Sequence, residues 1–144
     1  MTVRVDRSFE LLATPERVWE FISDPEKRAR AISVVREFET NDPDGRRAQW
    51  HVELPIPLVR KTITVDTEDV TRTPPSFVKF VGRSKVMHVT GEHRIVKTER
   101  GSRLENMFVV EGRVPGVETF FKRNLDGELE NLRRALERDI QANP

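Results

Sequence analysis

The stretch from Val117 to Ile140 constrains this chain more than any other. Val117, Phe121, Leu125, Leu129, Leu132, Leu136 and Ile140 recur every three or four residues. That spacing puts them in one apolar stripe on a helix of about six turns, with Glu, Lys and Arg covering the other face. A helix of this kind cannot hide its stripe alone and needs an apolar surface to lie on. The rest of the chain supplies one, because most of it alternates apolar and polar residues as half-buried strands do.

Composition sets the outer limits. The 144 residues suit one domain spanning residues 1–144, large enough to bury a core. Charged residues make up 34% of the chain but nearly cancel, to +1, so no excess of positive charge directs it to nucleic acid. There is no cysteine, which excludes disulfides and thiolate zinc sites. Charges interrupt the first apolar segment, which therefore reads as neither a signal peptide nor a membrane span. The expected location is cytoplasmic.

In chain order, Thr2 to Leu12 alternates as a strand, with Val3, Val5, Phe9 and Leu11 on one face and Arg7 as the odd charge among them. Thr14-Pro15-Glu16 starts a short helix, and Asp24-Pro25-Glu26 starts a second, basic and solvated, that runs to Ala31. A meander follows: Val34 to Thr40, Ala48 to Leu54, Val59 to Val70, Ser76 to Gly82, Met87 to Thr98 and Ser102 to Gly112. Arg100-Gly101 fits a two-residue hairpin turn. That turn would set Glu99 opposite Ser102, His93 opposite Phe108, Ile95 opposite Asn106 and Val89 opposite Gly112. Odd-numbered apolar residues of one strand then share a face with even-numbered ones of the next, as a half-buried sheet requires. The fold class is α+β.

The segment from Phe9 to Glu26 resembles the opening of the polyketide cyclase/dehydrase branch of the START-like superfamily, which also contains the birch-pollen-allergen type proteins. There a strand runs into "A-x-P-E-x-V-W" and a "D-P-E" helix start; here these are Ala13-Thr14-Pro15-Glu16-Arg17-Val18-Trp19 and Asp24-Pro25-Glu26. Phe120-Phe121-Lys122-Arg123-Asn124-Leu125 through Leu136 resembles the branch's closing helix. The resemblance implies a helix-grip fold: a curved, seven-stranded antiparallel sheet wrapped around the C-terminal helix, two short helices between strands one and two, and a cavity between sheet and helix. It carries over no catalytic residue, because the branch has no shared catalytic motif.

The expected inner face holds two polar residues, His93 and Asn106, among Trp50, Ile63, Val65, Phe80, Met87, Ile95 and Phe108. The two either satisfy each other within a core or orient the polar end of a ligand. As a general acid or base, His93 is the catalytic candidate. Phe120, Phe121 and Asn124, with Gly127, place the ligand-gripping part of the long helix near its start, and Leu129, Leu132 and Leu136 serve as anchors. The uncharged run from Leu54 to Val59, with Ile56 and Leu58, and Val117 opposite, form a candidate portal.

His51 and His88 fall on the outer face and His93 on the inner, so the histidines cannot converge on a metal. No phosphate loop or nucleophile elbow is present, and no cofactor is called for. The leading reading is a non-enzymatic binder of a small hydrophobic molecule: a lipid, polyketide or isoprenoid-like compound. The alternatives are a cyclase/dehydratase-type enzyme, and a protein- or peripheral-membrane-contact module resembling the G component of carbon-monoxide dehydrogenase. Oligomeric state is not readable from the sequence.

Overall fold

A computed structural model describes residues 2–57, 59 and 62–143. The elements in order are β1 (Thr2–Leu11), α1 (Pro15–Ile22), α2 (Pro25–Arg30), β2 (Val35–Glu39), β3 (Arg47–Val52), β4 (Ile63–Thr73), β5 (Phe77–Arg83), β6 (Met87–Lys97), β7 (Ser102–Gly112) and α3 (Val117–Ala142). The strands form one antiparallel sheet in the order β1-β7-β6-β5-β4-β3-β2. A meander from β2 to β7 is thus closed by β1 at the far edge, and α3 lies across the sheet in a helix-grip arrangement. Among the described residues, no helix is long and apolar enough to cross a membrane.

Local chemistry accounts for the short helices. Thr14 Oγ1 accepts from the Arg17 amide at 3.2 Å. One Asp24 carboxylate oxygen accepts from the amides of Glu26 and Lys27 at 2.9 and 3.3 Å. Both caps satisfy donors that lack partners inside the helix, with a proline in the first turn.

The long helix buries Val117, Phe121, Leu125, Leu129, Leu132 and Leu136, and Ile140 packs half-buried against the same core. Arg7, the odd charge on the inner face of β1, reaches the flank of α3 and pairs with Asp126 at 2.8 Å and Glu130 at 3.8 Å. At the helix's other end, Arg17 donates to the Asp139 carbonyl and carboxylate, both at 2.8 Å. It also donates to the Asn143 carbonyl at 2.8 Å. These bonds tie α1 to the last turn of α3.

Two expectations need correction. The hairpin between β6 and β7 is longer than two residues: Lys97 pairs with Ser102, and the intervening loop closes with a bond from the Thr98 amide to the Gly101 carbonyl at 3.0 Å. Every pairing moves by two residues. His93 stands opposite Asn106, Ile95 opposite Leu104, Val89 opposite Val110 and Met87 opposite Gly112. Side chains alternate with a period of two, so this slip keeps each residue on its face while changing its partner. The second correction concerns β4, which begins at Ile63 and not Val59, since Val59 only bridges back to Ile56. It continues past Val70 because Val70 is an extra residue in a bulge, lying between the pairs Asp69–Phe80 and Thr71–Lys79.

Gly91 shows how closely the inner face is fitted. It pairs with Phe80 on β5, and a methyl group in place of its hydrogen would overlap the Phe80 ring. Gly127 is the opposite case, since a methyl group there would meet nothing within 4 Å. It is exposed and brings no strand close. Gly91→Ala is expected to lower the urea-unfolding free energy by about 1–3 kcal/mol through overpacking. Gly127→Ala is expected to raise it by roughly 0.5–1 kcal/mol through helix propensity. A loss of stability in Gly127→Ala would contradict the solvent-facing placement of that residue.

Candidate ligand-binding site

Where α3 stands off the sheet, a cavity remains, with about 40 Å³ open to the centre of a water molecule. Alternating residues of the sheet form its floor: Trp50 and Val52 from β3, Phe80 from β5, Met87, Val89 and His93 from β6, and Phe108 and Val110 from β7. Phe121, Leu125, Leu129 and Leu132 of α3 form the roof, and Arg28, Ile32, Val34, Val35 and Glu128 complete the wall. Aromatic rings meet in its floor. The Phe80 centroid lies 5.6 Å from Trp50 in a tilted pair, 6.0 Å from Phe108 in an edge-on pair and 6.2 Å from His93 in a stacked pair, all within the range at which rings attract.

Of the residues expected to hold a ligand, Trp50, Phe80, Met87, His93, Phe108 and Phe121 line this cavity. Val65 and Ile95 are buried core residues off its wall, and Ile63 is half-buried at the start of β4. Phe120 packs edge-on to Phe121, with centroids 5.0 Å apart. Asn124 is exposed, and its amide turns back to the Phe120 carbonyl at 2.7 Å. A helix turns about 100° per residue, so positions 120 and 124 point to the flank of the Phe121–Leu125 line. The cavity meets the middle of α3, and Leu129 and Leu132 are walls as well as anchors.

Neither described portal residue lines the cavity. Ile56 is half-buried and its side chain packs on Gly116, while Val117 is buried in the core. Leu58 lies outside the described residues. The lining residues that keep solvent contact are Ile32, Val35 and Glu128. The opening is therefore between the α2–β2 loop and α3. Glu128 fastens it, accepting from the Ser33 amide at 2.7 Å and the Ser33 hydroxyl at 2.6 Å.

Arg28 is a further correction, for it is not part of a solvated face. It is buried, with Nη1 donating to the Ile22 carbonyl at 2.8 Å and Nη2 donating to Asp69. Asp69 also pairs with Arg72 at 2.9 Å. The strand pattern does carry a signal for this pair. Counting inward positions of β4 from Ile63 and Val65 places Asp69 on the buried face, and a buried carboxylate demands a cation.

His93 is the chemically distinctive group. Its Nδ1 lies 2.7 Å from Asn106 Oδ1. Asn106 Nδ2 donates to the carbonyls of Arg7 and Leu104, at 3.2 and 3.3 Å. Two carbonyl acceptors fix the amide nitrogen on that side, so its oxygen must face His93, and His93 Nδ1 must carry the proton. Nε2 is then a bare acceptor. It is buried and has no hydrogen-bond partner among the described residues. Burial first, and then the nearby Arg28 charge, lower the His93 pKa to about 3, against the Asn106 bond, which acts to raise it. The ring is a neutral acceptor at any pH near 7, which suits it poorly to general acid–base work.

On the outer face, Glu37, Glu39 and His51 bring three donor atoms within 4.8 Å of one another. Counting histidines alone does not reveal such a mixed trio. Glu37 and Glu39 are exposed, and His51 already meets Glu39 at 3.2 Å.

The family model described as polyketide cyclase / dehydrase and lipid transport matches residues 2–137. The chain belongs to this family. Its fold is shared with a conserved protein from Geobacillus kaustophilus, at a TM-score of 0.74 and 17% identity over 97% of this chain and 96% of that one. A START superfamily protein from Mycobacterium smegmatis gives 0.74 and 18% over 97% and 99%. The ZhuI aromatase/cyclase from Streptomyces sp. R1128 gives 0.72 and 15% over 97% and 96%. No curated protein matches the sequence.

The lowered His93 pKa makes stability depend on pH. Between about pH 6.5, where an exposed histidine titrates, and the folded value of about 3, the unfolded chain binds a proton that the folded chain does not. Stability therefore falls as pH drops through this window. The expected loss from His93 alone is about 2 kcal/mol between pH 7.5 and pH 5. Urea titrations of the wild type and His93→Gln at both pH values check this, and parallel losses in the two proteins would contradict it.

Proposed function

We propose that this protein binds a small hydrophobic molecule between the sheet and α3, as a carrier or receptor and not as an enzyme. The observation that carries the reading is a buried polar atom with no partner among the described residues, Nε2 of His93, a residue that lines a cavity walled mostly by apolar side chains. Apolar walls with one placed polar group are how small-molecule sites are generally built. Leaving a buried acceptor unpaired costs about 1–3 kcal/mol, a cost that a bound partner would remove. The family's description, covering cyclase, dehydrase and lipid transport, fits either a binder or an enzyme. The neutral, weakly basic His93 ring favours the binder.

At about 40 Å³ the cavity would hold only a few waters. An organic ligand enters by displacing the loop that carries Ile32 and Ser33, which a single carboxylate holds to α3. Toluene, in a Trp19→Phe background that leaves Trp50 as the sole indole, is the test. Saturable change in Trp50 fluorescence and a rise in Tm are expected. Val52→Phe, which fills the cavity from β3, is expected to weaken binding at least tenfold. Absence of any response in the parent protein would overturn the reading.

A further inference from the structure

The geometry assigns the polar end of the ligand: we infer that it is a hydroxyl group, a phenol or alcohol O–H, which donates its proton to His93 Nε2. This rests on the ligand-binding reading and narrows it to a chemical class. Three observations carry it. First, the direction of the bond is fixed by the protein. Asn106 cannot turn over without setting its oxygen against the carbonyls of Arg7 and Leu104, which it now bonds at 3.2 and 3.3 Å. With the amide locked, His93 Nδ1 is the donor in the 2.7 Å bond to Asn106, and Nε2 can only accept. A ketone, ether or carboxylate would set lone pair against lone pair there.

Second, water is a poor occupant. A buried water needs two to four polar partners, and among the described residues His93 Nε2 is the one buried side-chain nitrogen or oxygen without a hydrogen bond. The other polar lining residues are engaged: Arg28 with the Ile22 carbonyl and Asp69, and Glu128 with Ser33. A hydroxyl attached to a hydrocarbon meets the same acceptor with one O–H, and its apolar remainder meets the walls. Third, the surroundings are ring-shaped. Phe80 and Phe108 lie within 6.2 Å and 5.5 Å of the His93 centroid, so an aromatic ring bearing the hydroxyl finds faces and edges to pack on.

The test uses p-cresol and p-xylene, which have nearly the same shape and differ by O–H for CH₃. Hydrophobicity alone favours p-xylene. Calorimetric or NMR titration of the wild type is expected to show p-cresol binding at least as tightly. In His93→Phe, which keeps the ring and removes the acceptor, the ratio of the two affinities is expected to move about tenfold or more toward p-xylene. 4-Methylcyclohexanol is expected to follow p-cresol if any hydroxyl serves, and to bind more weakly if the ring also counts. p-Toluate is expected not to bind at neutral pH. Binding of p-xylene about tenfold tighter than p-cresol by the wild type would overturn the hydroxyl assignment while leaving the cavity reading intact. This comparison needs no variant. Binding of neither compound would overturn both.

Discussion

A helix with one apolar stripe and a sheet with one apolar face each hold surface that only the other can cover. That mutual need places α3 across the sheet, and most of the remaining structure follows from it. Six residues of the stripe are buried, each contributing roughly 1.5–3 kcal/mol relative to exposure. The charged contacts then fix orientation. Arg7 holds one flank of α3 through Asp126, and Arg17 holds its end through Asp139 and Asn143. Neither contact is central to the core, but each opposes sliding of a helix whose apolar contacts alone are not directional.

A straight helix cannot touch a curved sheet along its whole length, so a cavity between them is natural. Its contents are specific to this sequence. Gly91 lets the Phe80 ring lie over its strand neighbour, and Phe80 in turn contacts Trp50, Phe108 and His93. The Arg28 guanidinium sits 5.4 Å from the Phe80 centroid, with its charge balanced by Asp69. Two buried polar systems thus flank the aromatic floor, and they differ in kind. The Arg28–Asp69 pair answers its own needs. The His93–Asn106 pair does not, since both Asn106 N–H groups are bonded while His93 Nε2 has no partner among the described residues.

The architecture is legible in the sequence because periodicity reports which face a residue occupies. The stripe on α3, the inward faces of β6 and β7, and the caps at Thr14 and Asp24 all follow from such local rules. Register is not legible to the same degree. A two-residue slip is invisible to alternation, so the two-residue turn read at Arg100-Gly101 sets His93 opposite Phe108 where the structure sets it opposite Asn106. Arg28 escapes for a related reason, because a basic run on a short helix looks solvated until the buried Asp69 on a distant strand is placed. The stripe draws the expected cavity toward Phe120 and Asn124 because it identifies a face of the helix and not the part that stands off the sheet. The closure by Ser33 and Glu128 joins residues far apart in the chain, with no local pattern to mark it.

The chemistry of the site turns on one proton. Nitrogen-15 NMR of the His93 ring in the ligand-free protein observes it directly, between pH 5 and pH 8. The prediction is a neutral ring throughout, with the proton on Nδ1 and an unprotonated Nε2. A proton on Nε2, or a ring that titrates near its ordinary value of about 6.5, would contradict both the locked Asn106 amide and the open acceptor on His93.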